Sequence, residues 1–337
     1  MDTARKRAIL RVLKTAIQRE TDAFNYYHKA SQESPLPETT ALLKQLAEEE
    51  RKHRYYLRRE IQKIHKMLDS GGEEMITRNH VRFQIPEKIE TRRIHTVPGI
   101  DLCAVAMPSE LFGGDYLDSI EFPGLEGHRA LGILIYDVMG HGTESAHLKA
   151  RVKEVFGELR ELWGRGVPRV DMSQPHRVMD VLNESIWPES SSCGRFVTAL
   201  YTIIDPGGRK LLYASAGHEP PVIIENDGHY RHIDETEIVL GADEKYRYHS
   251  VEMPVRDGDI LVLFTDGLTE IMNRDEQMLE RNGLVQYLMK SRRISAQSVM
   301  NDLFNHLREF LNGTAVTDDF TLAAAKINLA DVQKSKD

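Results

Sequence analysis

The distribution of glycine divides this sequence into two parts that must fold differently. Residues 5–68 contain no glycine and only two prolines, whereas nearly all of the 23 glycines follow residue 97, among short apolar runs. Glycine weakens helices, while the turns between strands often require it. The shift predicts a helical domain over 1–68, a linker with one short helix over 69–96, a second domain over 97–330 and a disordered tail over 331–337.

The N-terminal part has the periodicity of two helices. Apolar residues recur every three or four positions on either side of a proline-containing turn at 34–37. The two stripes are formed by Leu10, Leu13, Ile17, Phe24 and Tyr27 and by Leu43, Leu46, Leu57, Ile61, Ile64 and Leu68. Because a two-helix hairpin has too little apolar surface for a core of its own, we expect a homodimer that completes a four-helix bundle through the hairpin and the linker.

Charge and cysteine content exclude several classes of function. The net charge of −8 disfavours binding to nucleic acid or to an anionic membrane surface. Cys103 and Cys193 are the only cysteines, which is too few for a disulfide framework or a cysteine-rich zinc site. No apolar run approaches the ~18 residues of a membrane span. We therefore expect a cytoplasmic protein without nucleic-acid or membrane partners.

The second domain mixes strand-like and helix-like segments. Apolar runs bounded by Gly, Pro and Asp predict strands over 102–107, 131–138, 196–205, 210–214, 260–265 and 321–327. Helical spacing predicts helices over 144–163, 175–187 and 296–311. Since strands and helices do not alternate regularly, the pattern favours an α+β fold with antiparallel sheets over a doubly wound parallel sheet.

Aspartates mark the ends of these apolar runs. Asp137 closes LGILIYD, Asp266 closes ILVLFTD, Asp115 follows a glycine pair, and Asp318 and Asp319 precede TLAAAKI. Each aspartate alone could be a turn or cap residue. Carboxylates that meet at the rim of a core repel one another and need cations, and oxygen ligands select Mg²⁺ or Mn²⁺. Several glycines would let the backbone turn sharply beside such ions, namely Gly113, Gly114, Gly140, Gly142 and Gly267.

Six motifs in this domain carry a family resemblance. They are GGDYLD at 113–118, DVMGHG at 137–142, FVTALY at 196–201, YASAGHEPP at 213–221, LFTDGLTE at 263–270 and DDFT at 318–321. Their order and spacing over 97–327 resemble the bacterial metal-dependent PPM-type protein phosphatases of the RsbU and SpoIIE type. The resemblance implies two antiparallel sheets packed face to face, flanked by helices, with two Mn²⁺ or Mg²⁺ ions at one edge.

The resemblance also implies roles for individual residues. Asp137 would bridge both ions, Asp115 and the Val138 carbonyl would hold one, Asp266 and Asp318 the other, and Asp319 would orient the site. Water activated between the ions would attack a phosphoserine or phosphothreonine. Two readings of His141 stay open, because it could donate a proton to the leaving oxygen or only line a turn.

A second pattern lies in the N-terminal helices. Glu20, Glu50 and His53 interrupt the apolar stripes, and Glu50 and His53 form a Glu-x-x-His unit on one helical face. With ETDAFNYYHKA and LAEEERKH, the hairpin resembles half of a rubrerythrin-type ferritin-like bundle. This implies an iron site shared across a dimer. In the alternative reading, the three side chains hydrogen-bond to one another or face solvent in a metal-free hairpin.

These observations leave three functional hypotheses. The first is a metal-dependent serine/threonine phosphatase regulated by its N-terminal domain, and the resemblance implies that its substrate is a phosphorylated STAS-domain protein, an anti-sigma-factor antagonist. The second is a ferritin-like iron or oxygen sensor whose C-terminal domain serves mainly as a binding output. The third reads GGD as a nucleotide cyclase signature, but this would leave LFTDGLTE and DDFT without a role.

Overall fold

The structure is a computed structural model in which two compact units divide the chain, Met1–Arg78 and Asn79–Asp337. In the second unit it describes residues 85–86, 97–107, 114–123, 129–140, 143–167, 170–233, 236–275, 277–291, 293–316 and 318–334. In the first unit it describes residues 13, 16–17, 23–24, 26–27, 29–32, 36–37, 39–44, 46–47 and 57.

The described residues of the first unit are helical on both sides of Leu36, as the predicted hairpin requires. Leu36 itself is not helical, and its carbonyl accepts hydrogen bonds from the amide and the hydroxyl of Thr40. Tyr26 and Leu42, which lie beside the predicted apolar stripes, are exposed. The described stripe members are half-buried, namely Leu13, Ile17, Phe24, Tyr27, Leu43, Leu46 and Leu57.

Three expectations for the N-terminal part lie outside the described residues. They concern the possible iron ligands Glu20, Glu50 and His53, the short helix of the linker, and the packing of the hairpin in a dimer. The homodimer and the iron site therefore stay predictions.

Two five-stranded antiparallel sheets form the centre of the second unit, which confirms the α+β fold. The first sheet has the order β1 (Ile100–Met107), β10 (Phe320–Ile327), β9 (Ile260–Phe264), β6 (Val222–Ile224) and β7 (Tyr230–His232). The second has the order β2 (Tyr116–Pro123), β3 (Arg129–Val138), β4 (Val197–Asp205), β5 (Lys210–Ala216) and β8 (Val251–Pro254).

Helices cover the outer face of each sheet. The helices are α1 (Thr143–Gly164), α2 (Pro175–Cys193), α3 (Asp266–Thr269), α4 (Glu280–Lys290), α5 (Ala296–Leu311) and α6 (Leu329–Lys334). Residues of α1 and α2 share an apolar cluster with the second sheet, and residues of α4 and α5 share one with the first. Within the described ranges, no helix combines the length and the apolar character needed to cross a bilayer.

Alternation along β3 shows how the layers form. Ile133 and Ile135 face the other sheet, where they share a cluster with Leu263 of β9. Leu134 and Tyr136 face the opposite way, into the cluster that includes residues of α1 and α2. Because β3 is buried on both faces, it appears in the sequence as an uninterrupted apolar run that ends at Asp137.

The packing of two segments differs from the predicted domain boundaries. Ile85 is 7% exposed within the cluster around α5, and Arg308 donates hydrogen bonds of 2.7 and 3.2 Å to the Pro86 carbonyl. Ile85 and Pro86, near the end of the predicted linker, therefore belong to the second unit, because the side chain of Ile85 is buried in its core. Residues 331–334, predicted as disordered tail, form part of α6, in which Val332 is buried beside Gly99.

Candidate active site

Five aspartates from both sheets meet at one end of the sandwich. Asp115 directly precedes β2 and Asp137 lies near the end of β3, in one sheet. Asp266 begins α3, two residues after the end of β9, and Asp318 and Asp319 directly precede β10, in the other sheet. All four other carboxylates act on Asp137 and raise its pKa. The structure thus brings together residues that are up to 204 positions apart in the sequence.

Short hydrogen bonds connect the two halves of this cluster. The amide of Gly114 donates to Oδ2 of Asp319 at 2.7 Å. The hydroxyl of Thr265, at the end of β9, donates to Oδ2 of Asp115 at 2.6 Å. The amide of Asp319 donates to Oδ1 of Asp318 at 2.9 Å. Asp115 and Asp319 are therefore held in place by groups on the opposite sheet, and Asp318 by the adjacent residue.

The electrostatics of the cluster are unfavourable for so many negative charges. Burial raises the pKa of Asp115 to about 8, with further contributions from Asp266 and Asp319, while hydrogen bonds from Thr265 and Thr321 oppose the change. Burial is also the largest cause that raises the pKa of Asp137 well above its usual range. Without cations, these side chains are protonated or destabilising at neutral pH.

Glycines permit the close approach of the acidic segments. A Cβ atom on Gly114 would lie 2.6 Å from Oδ1 of Asp137 and 2.9 Å from the Val138 carbonyl oxygen. A Cβ atom on Gly267 would lie 1.8 Å from the Asp319 carbonyl oxygen. Gly140 has a φ of +86°, which favours glycine. The other residues predicted in these turns lie outside the described residues, namely Gly113, His141 and Gly142.

Thr265 is a site residue that sequence reasoning missed. Its buried hydroxyl donates to Asp115 and accepts a hydrogen bond of 2.8 Å from the amide of Thr321. It therefore fixes one carboxylate rotamer and ties the end of β9 to the start of β10. Thr265 precedes Asp266 in LFTDGLTE, and this position was the only indication of its role in the sequence. Its partner Asp115 lies 150 positions away, so the sequence does not show the contact.

Arg195 is a second residue that was missed. Its buried guanidinium donates to Glu144 at 3.0 Å, to the Ser145 hydroxyl at 2.7 Å and to the Met139 carbonyl at 3.4 Å. These three partners lie in the segment that follows Asp137 and begins α1. Arg195 thus fixes the path of the chain as it leaves the central aspartate, and a buried arginine before FVTALY gives no local sign of this role.

A buried histidine lies next to the strand that carries Asp137. Thr198 of β4 is the direct cross-strand partner of Asp137, and its hydroxyl is 3.1 Å from Nδ1 of His218. His218 is 3% exposed and follows Gly217, whose φ of +64° forms the tight turn in YASAGHEPP. The motif was recognised in the sequence, but the contact of its histidine was not.

The donor set suits hard divalent cations. Carboxylate and carbonyl oxygens are the preferred ligands of Mg²⁺ and Mn²⁺. The cluster offers five carboxylates, and the Val138 carbonyl oxygen lies beside the Cα of Gly114. The raised pKa values of Asp115 and Asp137 are the expected signature of acids that require a neutralising cation.

A separate group of potential metal ligands lies in the turn between β6 and β7. Among the described residues, the only three potential ligands with all ligand atoms within 4.8 Å of one another are Glu225, Asp227 and His229, in the β6–β7 turn. Glu225 is already paired there with Arg231 at 2.8 Å and Arg256 at 3.2 Å.

Comparison with known proteins shows which families and proteins this chain is similar to. The family model for stage II sporulation protein E (SpoIIE) matches residues 127–328, and the model for rubrerythrin matches residues 11–104. Phosphoserine phosphatase RsbU from Bacillus subtilis (strain 168) is 25% identical over 259 residues, which cover 77% of this chain and 72% of RsbU.

Solved structures show the same fold. The SiaA-PP2C domain of Pseudomonas aeruginosa has a TM-score of 0.57 at 17% identity, covering 67% of this chain and 86% of that domain. RsbX in complex with magnesium has a TM-score of 0.51 at 15% identity, covering 72% of this chain and all of RsbX. Because the SpoIIE model matches more than half of its residues, the chain belongs to the SpoIIE family, and it is a protein serine/threonine phosphatase with a PP2C-like fold.

Proposed function

We propose that this enzyme removes phosphate from phosphoserine or phosphothreonine in a regulatory protein with the help of two Mn²⁺ or Mg²⁺ ions. The proposed ligands are Asp115, Asp137, the Val138 carbonyl, Asp266 and Asp318. The observation that carries the proposal is the convergence of five carboxylates, two of them with raised pKa values, in a chain of this family. When bound, the two ions would supply a water of lowered pKa as the nucleophile and neutralise charge on the phosphoryl group.

The residues of the chain position this reaction. Asp137 lies on a strand that is buried on both faces, so its carboxylate has a rigid support. Thr265 fixes the orientation of Asp115, and Gly114 fixes that of Asp319. Arg195 holds the segment after Asp137, which leads to His141, the residue that could donate a proton to the leaving oxygen or only line a turn.

Conservative removal of single ligands tests the proposal. We expect the full-length Asp137→Asn and Asp266→Asn proteins to keep their unfolding temperature, because each change removes charge repulsion without altering shape. Hydrolysis of a phosphoserine peptide with saturating Mn²⁺ should fall by at least about 10³-fold, and Mn²⁺ binding measured by calorimetry should weaken. Asp227→Asn, in the exposed β6–β7 turn, is the matched control and should behave as wild type. Undiminished turnover in either ligand variant would refute the ligand set.

The proposed substrate is a phosphorylated STAS-domain protein, an anti-sigma-factor antagonist in a partner-switching pathway. The relative RsbU is described as a phosphoserine phosphatase, which supports phosphoserine as the phosphorylated residue. Release of phosphate should be faster from such a phosphoprotein than from a phosphothreonine or phosphotyrosine peptide of equal charge. Equal rates for the three substrates would count against it.

We further propose that residues 1–78 form a dimer and regulate the catalytic unit. The matched fragment for a test is 79–337 rather than 97–337, because Ile85 and Pro86 pack within the catalytic unit. The full chain should have the mass of a dimer in light scattering and the fragment that of a monomer. Their turnover should also differ, and equal masses and equal rates would remove the case for regulation.

The match to rubrerythrin favours one additional candidate, an iron site that makes the N-terminal unit a sensor of iron or oxygen. Glu20, Glu50 and His53 are its proposed ligands, with two copies needed for a full site. Metal analysis of the purified full chain and of its Glu50→Gln variant tests this. Loss of stoichiometric iron in the variant would support the site, and the absence of iron from the wild-type protein would refute it.

A further inference from the structure

One edge of the acidic cluster carries positive charge. Lys149 lies in the second turn of α1, beside the buried side chain of Leu148, and is itself half-buried. The phenol of Tyr136 donates a hydrogen bond of 2.8 Å to the backbone carbonyl of Lys149, which fixes its position over β3. Its ammonium is 6.0 Å from the ring centroid of Tyr116, the residue that follows Asp115. The ammonium thus lies near Tyr116, the residue next to Asp115 in the chain.

The ammonium of Lys149 is in the electric field of the site. Asp115, Asp319 and Asp137, in this order, act to raise its pKa, but burial has a larger effect and lowers it. Desolvation of a cation costs free energy, and negative charges nearby offset part of this cost. Lys153, one helical turn further along α1, has its ammonium 5.3 Å from the same Tyr116 ring.

The charge balance of the site suggests a role for the ammonium of Lys149. The five aspartates carry five negative charges when ionised, and two divalent cations would neutralise four of them. The site would keep a net negative charge, whereas a phosphoserine group brings a further charge of about −2 at neutral pH. The ammonium of Lys149 compensates the remaining charge at the site, on the side where α1 and β2 border it.

We propose that Lys149 contacts the phosphoryl group of the substrate and stabilises its negative charge during hydrolysis. The proposal rests on the proposed function, since it assigns the lysine to the phosphate of the same reaction. A charge-assisted hydrogen bond from an ammonium to a phosphate oxygen would orient the phosphorus toward the aspartate cluster. Unlike the aspartates, Lys149 is not needed to hold cations, and this difference makes its role measurable.

The test compares full-length Lys149→Gln and Lys149→Arg with Lys153→Gln, which removes the same charge from the same helix. We expect Lys149→Gln to lower kcat/KM for a phosphoserine peptide by about 10- to 100-fold. The affinity of the Mn²⁺-loaded protein for inorganic phosphate, measured by calorimetry, should fall by about tenfold, while the affinity for Mn²⁺ alone stays equal or rises. Lys149→Arg should recover part of both losses, and Lys153→Gln should stay within twofold of wild type.

Two results would overturn the assignment. If Lys149→Gln keeps phosphate affinity and kcat/KM within twofold of wild type, the lysine does not contact the phosphoryl group. If Mn²⁺ affinity falls in parallel with activity, its role is to support the acidic cluster. The two proposals can fail independently. If the proposed ligand set is wrong, Asp137→Asn remains active, and this result does not depend on the activity of Lys149→Gln.

Discussion

The substitution Gly267→Ala tests most directly whether the spacing of the acidic segments controls activity. A Cβ atom at this position would lie 1.8 Å from the carbonyl oxygen of Asp319, and real Cβ contacts essentially never fall below 3.0 Å. The backbones beside Asp266 and Asp319 must therefore separate by at least 1.2 Å, the difference between these two distances. Neither side is a flexible side chain, so the shift moves proposed ligands on both segments.

The size of the effect follows from this displacement. A misplacement of about 1 Å in a catalytic arrangement costs about 10²-fold in rate. Forcing a methyl group into a packed backbone contact costs about 1–3 kcal/mol of folding stability. Gly267→Ala should therefore lose about 100-fold in turnover, bind Mn²⁺ more weakly and unfold at a lower temperature.

Gly157→Ala is the matched control, because a Cβ atom there has no heavy atom within 4 Å. Alanine in the middle of α1 should stabilise the protein by about 0.5–1 kcal/mol and leave turnover unchanged. The measurements are hydrolysis of a phosphoserine peptide at saturating Mn²⁺, calorimetric titration with Mn²⁺, and thermal unfolding. Wild-type turnover and Mn²⁺ affinity in Gly267→Ala, to within threefold, would show that the spacing argument is wrong.

Two further predictions concern Asp115. Thr265→Val removes the hydroxyl that donates to Asp115 and accepts from the Thr321 amide. We therefore expect the protein to lose about 1–3 kcal/mol in stability and its Mn²⁺ affinity to fall by about 10- to 100-fold. Thr265→Ser, which keeps the hydroxyl, should restore most of the stability and of the Mn²⁺ affinity. The pKa of Asp115 is raised from 3.8 to about 8 in the folded metal-free protein, so between these values the folded state binds a proton that the unfolded state has released. Stability in urea without metal should therefore fall by a few kcal/mol as pH rises from about 4 to 8. Mn²⁺ should restore stability increasingly toward pH 8, and a flat profile without metal would contradict the raised pKa.

Local patterns were sufficient to predict the centre of the fold. Strands β3 and β9 are buried on both faces, so each is an uninterrupted apolar run. Asp137 is the penultimate residue of β3, and Asp266 lies two residues after the end of β9. The amphipathic helix α5 has a regular apolar stripe and a serine capping box. In these segments the local sequence and the tertiary environment agree, and for this reason the predictions of element type were right.

Other strands and helices were not predicted because their own sequences do not show the packing that stabilises them. Strand β2 lies at a sheet edge and carries Asp118 and Glu121 among its apolar residues, which interrupts the expected pattern. Strands β6, β7 and β8 have three or four residues each, too few for a periodic signal. Helix α4 was also missed, since its apolar stripe is short.

The same reasoning separates the site residues that were found from those that were missed. Asp137, Asp266, Asp318 and Asp319 were predicted because each borders an apolar run, and Asp115 was predicted because it follows a glycine pair. Thr265 and Arg195 act through partners 150 and 51 positions away, and their roles exist only in the folded chain. A sequence pattern can therefore identify groups that carry chemistry at element ends, but the groups that position them appear only with the contacts.

The position of the site between the sheets links catalysis to stability. Asp115 and Asp137 belong to one sheet, and Asp266, Asp318 and Asp319 to the other, with the bonds Gly114–Asp319 and Thr265–Asp115 crossing between them. Cations held by ligands from both sheets would connect the sheets in addition to these two hydrogen bonds. Binding of metal should therefore stabilise the packing of the whole sandwich. By the same linkage, any change that displaces one sheet relative to the other must weaken metal binding. A regulatory signal therefore needs to move only the short segments at this end of the sandwich, and it can leave the large apolar core between the sheets intact.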